Sequence, residues 1–369
     1  MTASAPILIM AGGTGGHVFP ALAVARALRE RDETVIWLGT AKGLEARVVP
    51  ADGFPLELVR VAGLRRKGML SWLLAPFKLL LAVWDALQLV RRHRPKVVLG
   101  MGGFASGPGG LAAWLLRRPL VIHEQNAAAG LTNRLLARLA TDVLQGFPNA
   151  FASKVSARTI GNPVRSDIFD LPAPESRIGI ELGMPLRLLV IGGSQGALVL
   201  NRTVPAALRL LADAGTTIDA WHQSGKATID TTEQAYKEAG VTARIEPFIE
   251  DMQQAYGWAD LVVCRAGALT IAELAAAGVG SILVPYPAAV DDHQTRNALY
   301  MVDADAALLL PQTELNPERL ALELQRFAGD RNLLLVTAKN ARQQARPDAT
   351  NELMLACLNA CSSQQVSAV

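Results

Sequence analysis

The sequence predicts an α/β protein: two tandem Rossmann-like, doubly wound domains facing a cleft. Three observations predict this. Two short β-favouring runs about half a chain apart, Ile7–Met10 and Leu188–Ile191, run into the Gly-rich turns AGGTGGH and GGSQGA. Each turn is followed by a helical pattern, expected over Phe19–Arg29 and Leu198–Leu211. Further short apolar runs without polar alternation recur between helical stretches, as strands of a parallel sheet buried on both faces would. With 369 residues and 50% apolar side chains, the chain has material for about two cores.

Each element follows in order. Val35–Leu38, Val97–Leu99 and Leu120–His123 read as strands of the first half, and Ile218–His222, Leu261–Cys264 and Ser281–Val284 as strands of the second. The join is expected near GNPVR (161–165), ahead of a polar, Pro-rich stretch. The expected domains are 1–162, 163–340 and a helical segment 341–369 that packs back on the first. Ligands of such sheets bind outside the carboxyl ends of the strands, so those ends are where chemistry is sought.

Composition excludes several classes. The apolar content excludes a disordered chain, and 31 Gly with 20 Pro but no period excludes collagen. Three Cys with no CxxC argue against a disulfide framework or a structural zinc and suggest a reducing compartment. Met1–Ala5 lacks a basic n-region, and Met69–Trp84 is only 16 residues long, broken by Pro76 and Lys78. The expectation is a protein that is soluble, or rests on a membrane without crossing it.

Charge is divided unevenly. Residues 1–165 hold 21 Lys+Arg against 9 Asp+Glu, giving +12; residues 166–369 hold 15 against 24, giving −9. Arg60, Arg65, Arg66, Lys67, Lys78, Arg91, Arg92, Arg94 and Lys96 flank the apolar Met69–Trp84. Cations beside apolar side chains suit an anionic membrane surface. A basic solvated face over a buried helix is the plainer alternative. Nucleic acid ranks below both, because Leu, Trp and Val interleave the cluster and the second half repels phosphate.

The Gly-rich turns are not dinucleotide fingerprints. In GGTGGH, Val18 stands where the third Gly belongs, and the next strand ends in Gly39 and Thr40 with no acid for a ribose. No GxxxxGK[ST] occurs. Glycine still lets backbone N–H groups approach an anion at a helix start, and Ser194 adds a hydroxyl donor; a tight strand-to-helix connection is the alternative. Met101–Gly110 either admits another molecule closely or caps a helix at Leu111. His17 closes the first turn, where a helix dipole favours neutral imidazole able to accept a proton; otherwise it is a helix-start residue bonded to backbone. His123, Glu124, Gln125 and Asn126 follow a strand and read as ligand contacts or as loop-satisfying groups. Past Leu261–Cys264, Ala268–Thr270 would open a helix whose amides bind phosphate, with Glu273 bridging two vicinal hydroxyls of a ribose or simply stabilising the dipole. Asp291, Asp292, His293 and Gln294 could bond sugar hydroxyls and make a weak metal set. His93 and His222 read as structural or surface groups, and Cys264 as core.

At this point the ordered set becomes specific. AGGTGGHVFPALA (11–23), GLRRKG (63–68), LGMGGFASGPGG (99–110), HEQNAAAGLTN (123–133), GNPVR (161–165), GGSQGA (192–197), WHQSGK (221–226), CRAGALTIAE (264–273) and DDHQTRNA (291–298) resemble the MurG family across nearly the whole chain. Those are bacterial UDP-N-acetylglucosamine:lipid I N-acetylglucosaminyltransferases. The resemblance implies a GT-B fold with the sugar nucleotide in the carboxyl-terminal domain. It implies that the amino-terminal domain holds the lipid acceptor and touches the cytoplasmic face of the bacterial inner membrane as a peripheral protein. The implied reaction is inverting transfer of GlcNAc from UDP-GlcNAc to the 4-hydroxyl of MurNAc-pentapeptide on undecaprenyl diphosphate, giving lipid II for peptidoglycan.

Carried onto this chain, donor contacts fall at Thr14, Gly15, Gly16, Asn126, Arg165, Ser194, Ile249, Ala268, Leu269, Thr270, Ile271, Ala272, Glu273 and Gln294. Glu273 takes the ribose and the Ile249 backbone the uracil, with no metal and no cofactor. The resemblance leaves room for partners among cell-wall synthesis or division proteins. Ala266 stands where many relatives have Ser, and AAAG (127–130) replaces a more Gly-containing run. His17 is the candidate general base by position. The rival classes are a sugar-nucleotide epimerase and a noncatalytic membrane scaffold.

Overall fold

The computed structural model describes residues 5–60, 75–178, 184–193 and 196–366. The chain forms two units: Met1–Val164 with Asp348–Val369, and Arg165–Pro347.

Among the described residues, unit 1 holds seven strands. They are β1 (Ile7–Met10), β2 (Val35–Gly39), β3 (Leu56–Leu58), β4 (Val97–Gly100), β5 (Leu120–Glu124), β6 (Asp142–Gln145) and β7 (Arg158–Thr159). All pair in parallel in the order β3-β2-β1-β4-β5-β6-β7. Its helices are α1 (Gly15–Arg29), α2 (Glu45–Ala51), α3 (Ala75–His93), α4 (Ser106–Leu115) and α5 (Leu131–Leu136). The central strands β1, β2 and β4 carry no polar side chain because both faces are covered. Ile7, Ile9, Trp37 and Leu99 point into one core with α1, while Leu8, Met10, Leu38 and Val98 point into another with α3 and α4.

Unit 2 repeats the plan with β8 (Leu186–Ile191), β9 (Ile218–Gln223), β10 (Arg244–Glu246), β11 (Leu261–Cys264), β12 (Gly280–Leu283) and β13 (Ala307–Leu309), ordered β10-β9-β8-β11-β12-β13. Its helices are α6 (Ser166–Phe169), α7 (Pro174–Arg177), α8 (Leu198–Asp213), α9 (Ile229–Ala239), α10 (Met252–Trp258), α11 (Ala268–Ala277), α12 (His293–Val302), α13 (Pro317–Gly329) and α14 (Arg331–Gln343). The last helix, α15 (Ala349–Val366), returns to unit 1 and packs Leu353, Met354 and Cys357 into the core beside α1.

Strand order reverses between β1 and β4 in unit 1 and between β8 and β11 in unit 2. Register aligns Met10 with Gly100 and Ile191 with Cys264, so the loops leaving each pair start side by side. A sheet of this kind opens its binding crevice there.

Several expectations shift. Helix α1 begins at Gly15, not Phe19, because extended Thr14 starts the helix and both glycines lie in its first turn. The expected start at Leu111 is in fact Ser106; Gly109 and Gly110 lie inside α4, where a Cβ would strike Met10 Sδ and Leu136. At Gly103 the chain approaches itself: a Cβ there would come within 2.3 Å of the Gly12 carbonyl oxygen. The boundary expected at 340 falls inside α14, and the chain returns to unit 1 at Asp348. Strands β3, β7, β10 and β13 have two or three residues and β6 is polar at both ends, too little to read by pattern.

One buried carboxylate locks the first turn. Glu45 is fully buried; its Oε2 accepts from the Gly13 amide (2.9 Å), and its Oε1 from the Thr40 amide (2.9 Å) and hydroxyl (2.8 Å). A Cβ on Gly12, Gly39 or Gly43 would overlap it, so these glycines make its pocket. Glu45→Gln turns one acceptor into a donor facing N–H groups. It should cost about 1–3 kcal/mol in denaturant unfolding. Unfolding at the parental midpoint would contradict this account of Glu45.

Candidate active site

In unit 2 the loops after β8 and β11 meet at the reversal. After Ile191 the chain turns at Gly193 (φ +81°) and Gly196 (φ +77°), and the Gly196 amide donates to the Gly193 carbonyl at 3.0 Å. Gly192 must lack a side chain, since a Cβ would lie 2.4 Å from the Ala197 nitrogen. Ser194, expected as a hydroxyl donor here, lies outside the described residues.

After Cys264, extended Gly267 starts α11 without a side-chain cap. The first amides of the helix, at Ala268, Leu269 and Thr270, are therefore main-chain donors at its positive end, which suits an anion. Ile271 and Ala272 lie within the helix, and the Ile271 amide is spent on the Gly267 carbonyl (2.9 Å). Arg265 does not join this site. Its guanidinium holds the Val284 and Pro285 carbonyls (3.1 Å each) and Gln312 Oε1 (2.7 Å), fixing the neighbouring loop.

Glu273 sits half-buried on α11, with the Tyr256 hydroxyl donating to its Oε2 at 3.0 Å. Burial pushes its carboxyl up to about 7, against the Tyr256 hydrogen bond and the positive charge of Arg165, which favour the ionised form. Arg165 stands at the start of α6, with Asp167 3.9 Å away.

Ile249 is buried, and its amide donates to Gln223 Oε1 at 3.0 Å. Gln223 Nε2 in turn donates to the Gly193 carbonyl at 3.1 Å, so one side chain ties the Ile249 loop to the turn after β8. Gln294 Oε1 accepts from the Tyr286 amide (2.8 Å), past β12. Asp291 and Asp292 adopt positive φ, and Asp292 accepts from the Thr295 hydroxyl. No metal-holding group of His, Cys, Asp and Glu occurs among the described residues.

Unit 1 gathers Thr14, Gly15, Gly16 and His17 at the end of β1. Thr14 Oγ1 lies 3.4 Å from His17 Nδ1, and the His17 ring packs against Gly102, where a Cβ would come within 2.8 Å of it. At the end of β5, Glu124 accepts from the Asn126 amide (3.0 Å), Asn126 Nδ2 (3.2 Å), the Gly130 amide (3.1 Å) and Asn133 Nδ2 (2.9 Å). Gln125 donates to the Met101 carbonyl. His123 is fully buried against the Gly161 carbonyl (2.9 Å), and burial lowers it to about 4, so it stays neutral. Of this tetrapeptide, His123, Glu124 and Gln125 satisfy loop backbone, and Asn126 is the member left half-buried at the edge.

Sequence reasoning missed Glu45, Gln223 and Tyr256. Glu45 opens a short helix like any first-turn acid, and Tyr256 in AYGW reads as core. His93 pairs with Glu57 (2.8 Å), and buried His222 lies between Tyr236 and Asn201, both in structural roles. Cys264 is buried in core.

Two family domains lie along the chain: residues 7–145 match the glycosyltransferase family 28 N-terminal domain, and residues 187–353 its C-terminal domain. A UDP-N-acetylglucosamine--N-acetylmuramyl-(pentapeptide) pyrophosphoryl-undecaprenol N-acetylglucosamine transferase of Alkalilimnicola ehrlichii is 58% identical, covering 96% of this chain and 98% of its own. The chain belongs to the MurG group of glycosyltransferase family 28. A like-named transferase of Marinobacter nauticus is 54% identical over 96% of this chain and 97% of its own. The crystal structure of MurG from Acinetobacter baumannii superposes with a TM-score of 0.84 at 39% identity, covering 96% of this chain and all of the other. This family 28 chain therefore has the GT-B fold, two parallel-sheet units flanked by helices. A UDP-N-acetylglucosamine 2-epimerase of Listeria monocytogenes shares the fold alone, at 15% identity and a TM-score of 0.69.

The raised Glu273 carboxyl makes a stability prediction. The fold favours the protonated form, so its contribution is full below about 4.5 and is lost as pH rises through about 7. Glu273→Gln should therefore raise the melting temperature at pH 8 by about 2–4 °C, the shift of roughly 1 kcal/mol after discounting for partial solvation. At pH 5 the two proteins should melt together. Equal melting at both pH values would show that the carboxylate carries no such cost.

Proposed function

We infer that the chain is a UDP-sugar glycosyltransferase that moves GlcNAc from UDP-GlcNAc to the lipid-linked MurNAc-pentapeptide and so forms lipid II. One observation carries the reading. The uncapped start of α11 and Glu273 stand at the strand-order reversal of unit 2, in a chain 58% identical along almost its whole length to a transferase named for that reaction.

The chemistry follows from the residues. As UDP leaves, negative charge develops on the diphosphate. The amides of Ala268, Leu269 and Thr270, the helix dipole and Arg165 supply the opposing charge. Glu273 accepts from the ribose hydroxyls. The Ile249 backbone reads the uracil edge, and Thr14, Gly15, Gly16, Asn126, Ser194 and Gln294 complete the donor contacts. Inversion needs one base on the acceptor hydroxyl, and His17 in the first turn of α1 is that base.

Unit 1 also supplies an acceptor-side surface. Helix α3 exposes Phe77, Leu79, Leu80 and Trp84; α4, packed on it, exposes Trp114 and Leu115; and α5 exposes Leu131 and Leu135. Arg91, Arg92 and Arg94 are exposed at the end of α3, whereas Arg60 is paired with Asp85 (2.6 Å) and Lys96 with Glu33. The motif GLRRKG and the rest of the apolar run, residues 63–74, lie outside the described residues. No helix among the described residues is long and apolar enough to cross a membrane. The reading is a peripheral protein on the cytoplasmic face of the inner membrane, held by apolar side chains and by cations facing anionic lipid. Other cell-wall synthesis or division proteins would meet it there.

A transfer assay with UDP-GlcNAc and a lipid I analogue, run in EDTA, tests the whole reading. Product is expected, and UDP release should require the acceptor; acceptor-independent turnover would favour an epimerase. His17→Ala should lower turnover at least about a hundredfold with UDP-GlcNAc affinity unchanged, and near-parental turnover would remove His17 from the base role. In flotation, the protein should follow vesicles containing anionic lipid more than neutral ones. Equal association would count against the electrostatic part.

A further inference from the structure

Glu273 is held from one side. Its partner Tyr256, on α10, is only 1% exposed, and its hydroxyl reaches Oε2 at 3.0 Å, while Glu273 itself is half-buried. The titratable groups around the carboxyl are Tyr256 of α10, Cys264 of β11, and Arg165 and Asp167 at the start of α6. From α14 and α7, Arg342 and Arg177 address α11 at the Ala276 and Ala277 carbonyls, its carboxyl end.

We propose that Tyr256 is a positioning residue for the sugar nucleotide: its hydroxyl fixes Oε2 of Glu273 and keeps the carboxylate turned outward as the acceptor of two ribose hydroxyls. This rests on the reading of Glu273 as the ribose acceptor.

The argument is one of geometry and competition. A glutamate has three side-chain torsions, and an unanchored carboxylate would lose rotamer freedom each time it met a ribose. A buried phenol that has already fixed one oxygen removes that cost before the ligand arrives. The anchor must also be a donor at every working pH. Burial drives the Tyr256 phenol well above its ordinary 10, so it stays protonated and donates to a carboxylate, never competes as an anion. The same bond opposes the burial of Glu273. Without it, the carboxyl would hold its proton to a still higher pH, and a protonated carboxyl offers one acceptor fewer to the ribose. Position and protonation thus act on one observable, the discrimination between a ribose and a deoxyribose.

The test is Tyr256→Phe in the full chain, which removes one oxygen and keeps the buried ring. UDP and 2′-deoxy-UDP are titrated against the parent, Tyr256→Phe and Glu273→Gln from pH 6 to pH 9, with melting temperature as the folding control. In the parent, UDP should bind more tightly than 2′-deoxy-UDP. In Tyr256→Phe, UDP affinity at pH 7 should fall about tenfold, the loss of roughly one charge-assisted hydrogen bond. The preference over the deoxy compound should shrink, and affinity should recover toward the parent by pH 9. A side chain that merely fills the core would weaken both nucleotides equally and leave the pH profile in place, and that result overturns the proposal. So does parental behaviour of Tyr256→Phe beside a weakened Glu273→Gln. If Glu273→Gln also binds UDP as the parent does, the ribose assignment itself falls and the proposal falls with it.

Discussion

Parallel pairing in register is the constraint on which this molecule depends. Because β8 and β11 run side by side with Ile191 opposite Cys264, the two loops that leave them cannot avoid meeting. The helix that follows β11 must climb back over the sheet, so its amino end is aimed at that meeting point. A Gly turn, a helix dipole and a carboxylate one and a half turns into the helix are thereby brought together, and Gln223 and Tyr256 hold the turn and the carboxylate in place.

The same plan is used twice with different electrostatics. In unit 1 the turn after β1 has spent the Gly13 amide on Glu45, a buried carboxylate that also holds Thr40. The Gly13 amide is thereby already satisfied within the chain. In unit 2 the corresponding turn is tied by a neutral side chain, Gln223, which donates to the Gly193 carbonyl. The two turns therefore differ by one acid and one amide, not by the glycines they share.

Much of this was legible in the sequence, for physical reasons. Strands buried on both faces leave unbroken apolar runs, so Ile7–Met10, Leu261–Cys264 and their neighbours declared themselves, and the switch-point rule then picked out the Gly turns and the start of α11. Edge strands such as β3 and β10 did not, since three half-solvated residues carry no period. The start of α1 was misplaced because glycine signals a turn, while the first turn of a helix needs no interior propensity. Glu45, Gln223 and Tyr256 were hidden for another reason. Each acts on a residue brought close by the fold across 17 to 32 positions of sequence, and no local spacing announces such a partner.

The central claim is that the amino end of α11 receives the diphosphate while Glu273 receives the ribose. A crystal structure of the chain with UDP bound tests it most directly. The account predicts phosphate oxygens within hydrogen-bond distance of the Ala268–Thr270 amides and both ribose hydroxyls on Glu273. A diphosphate seated on the turn after β1, or a ribose facing away from α11, would contradict it.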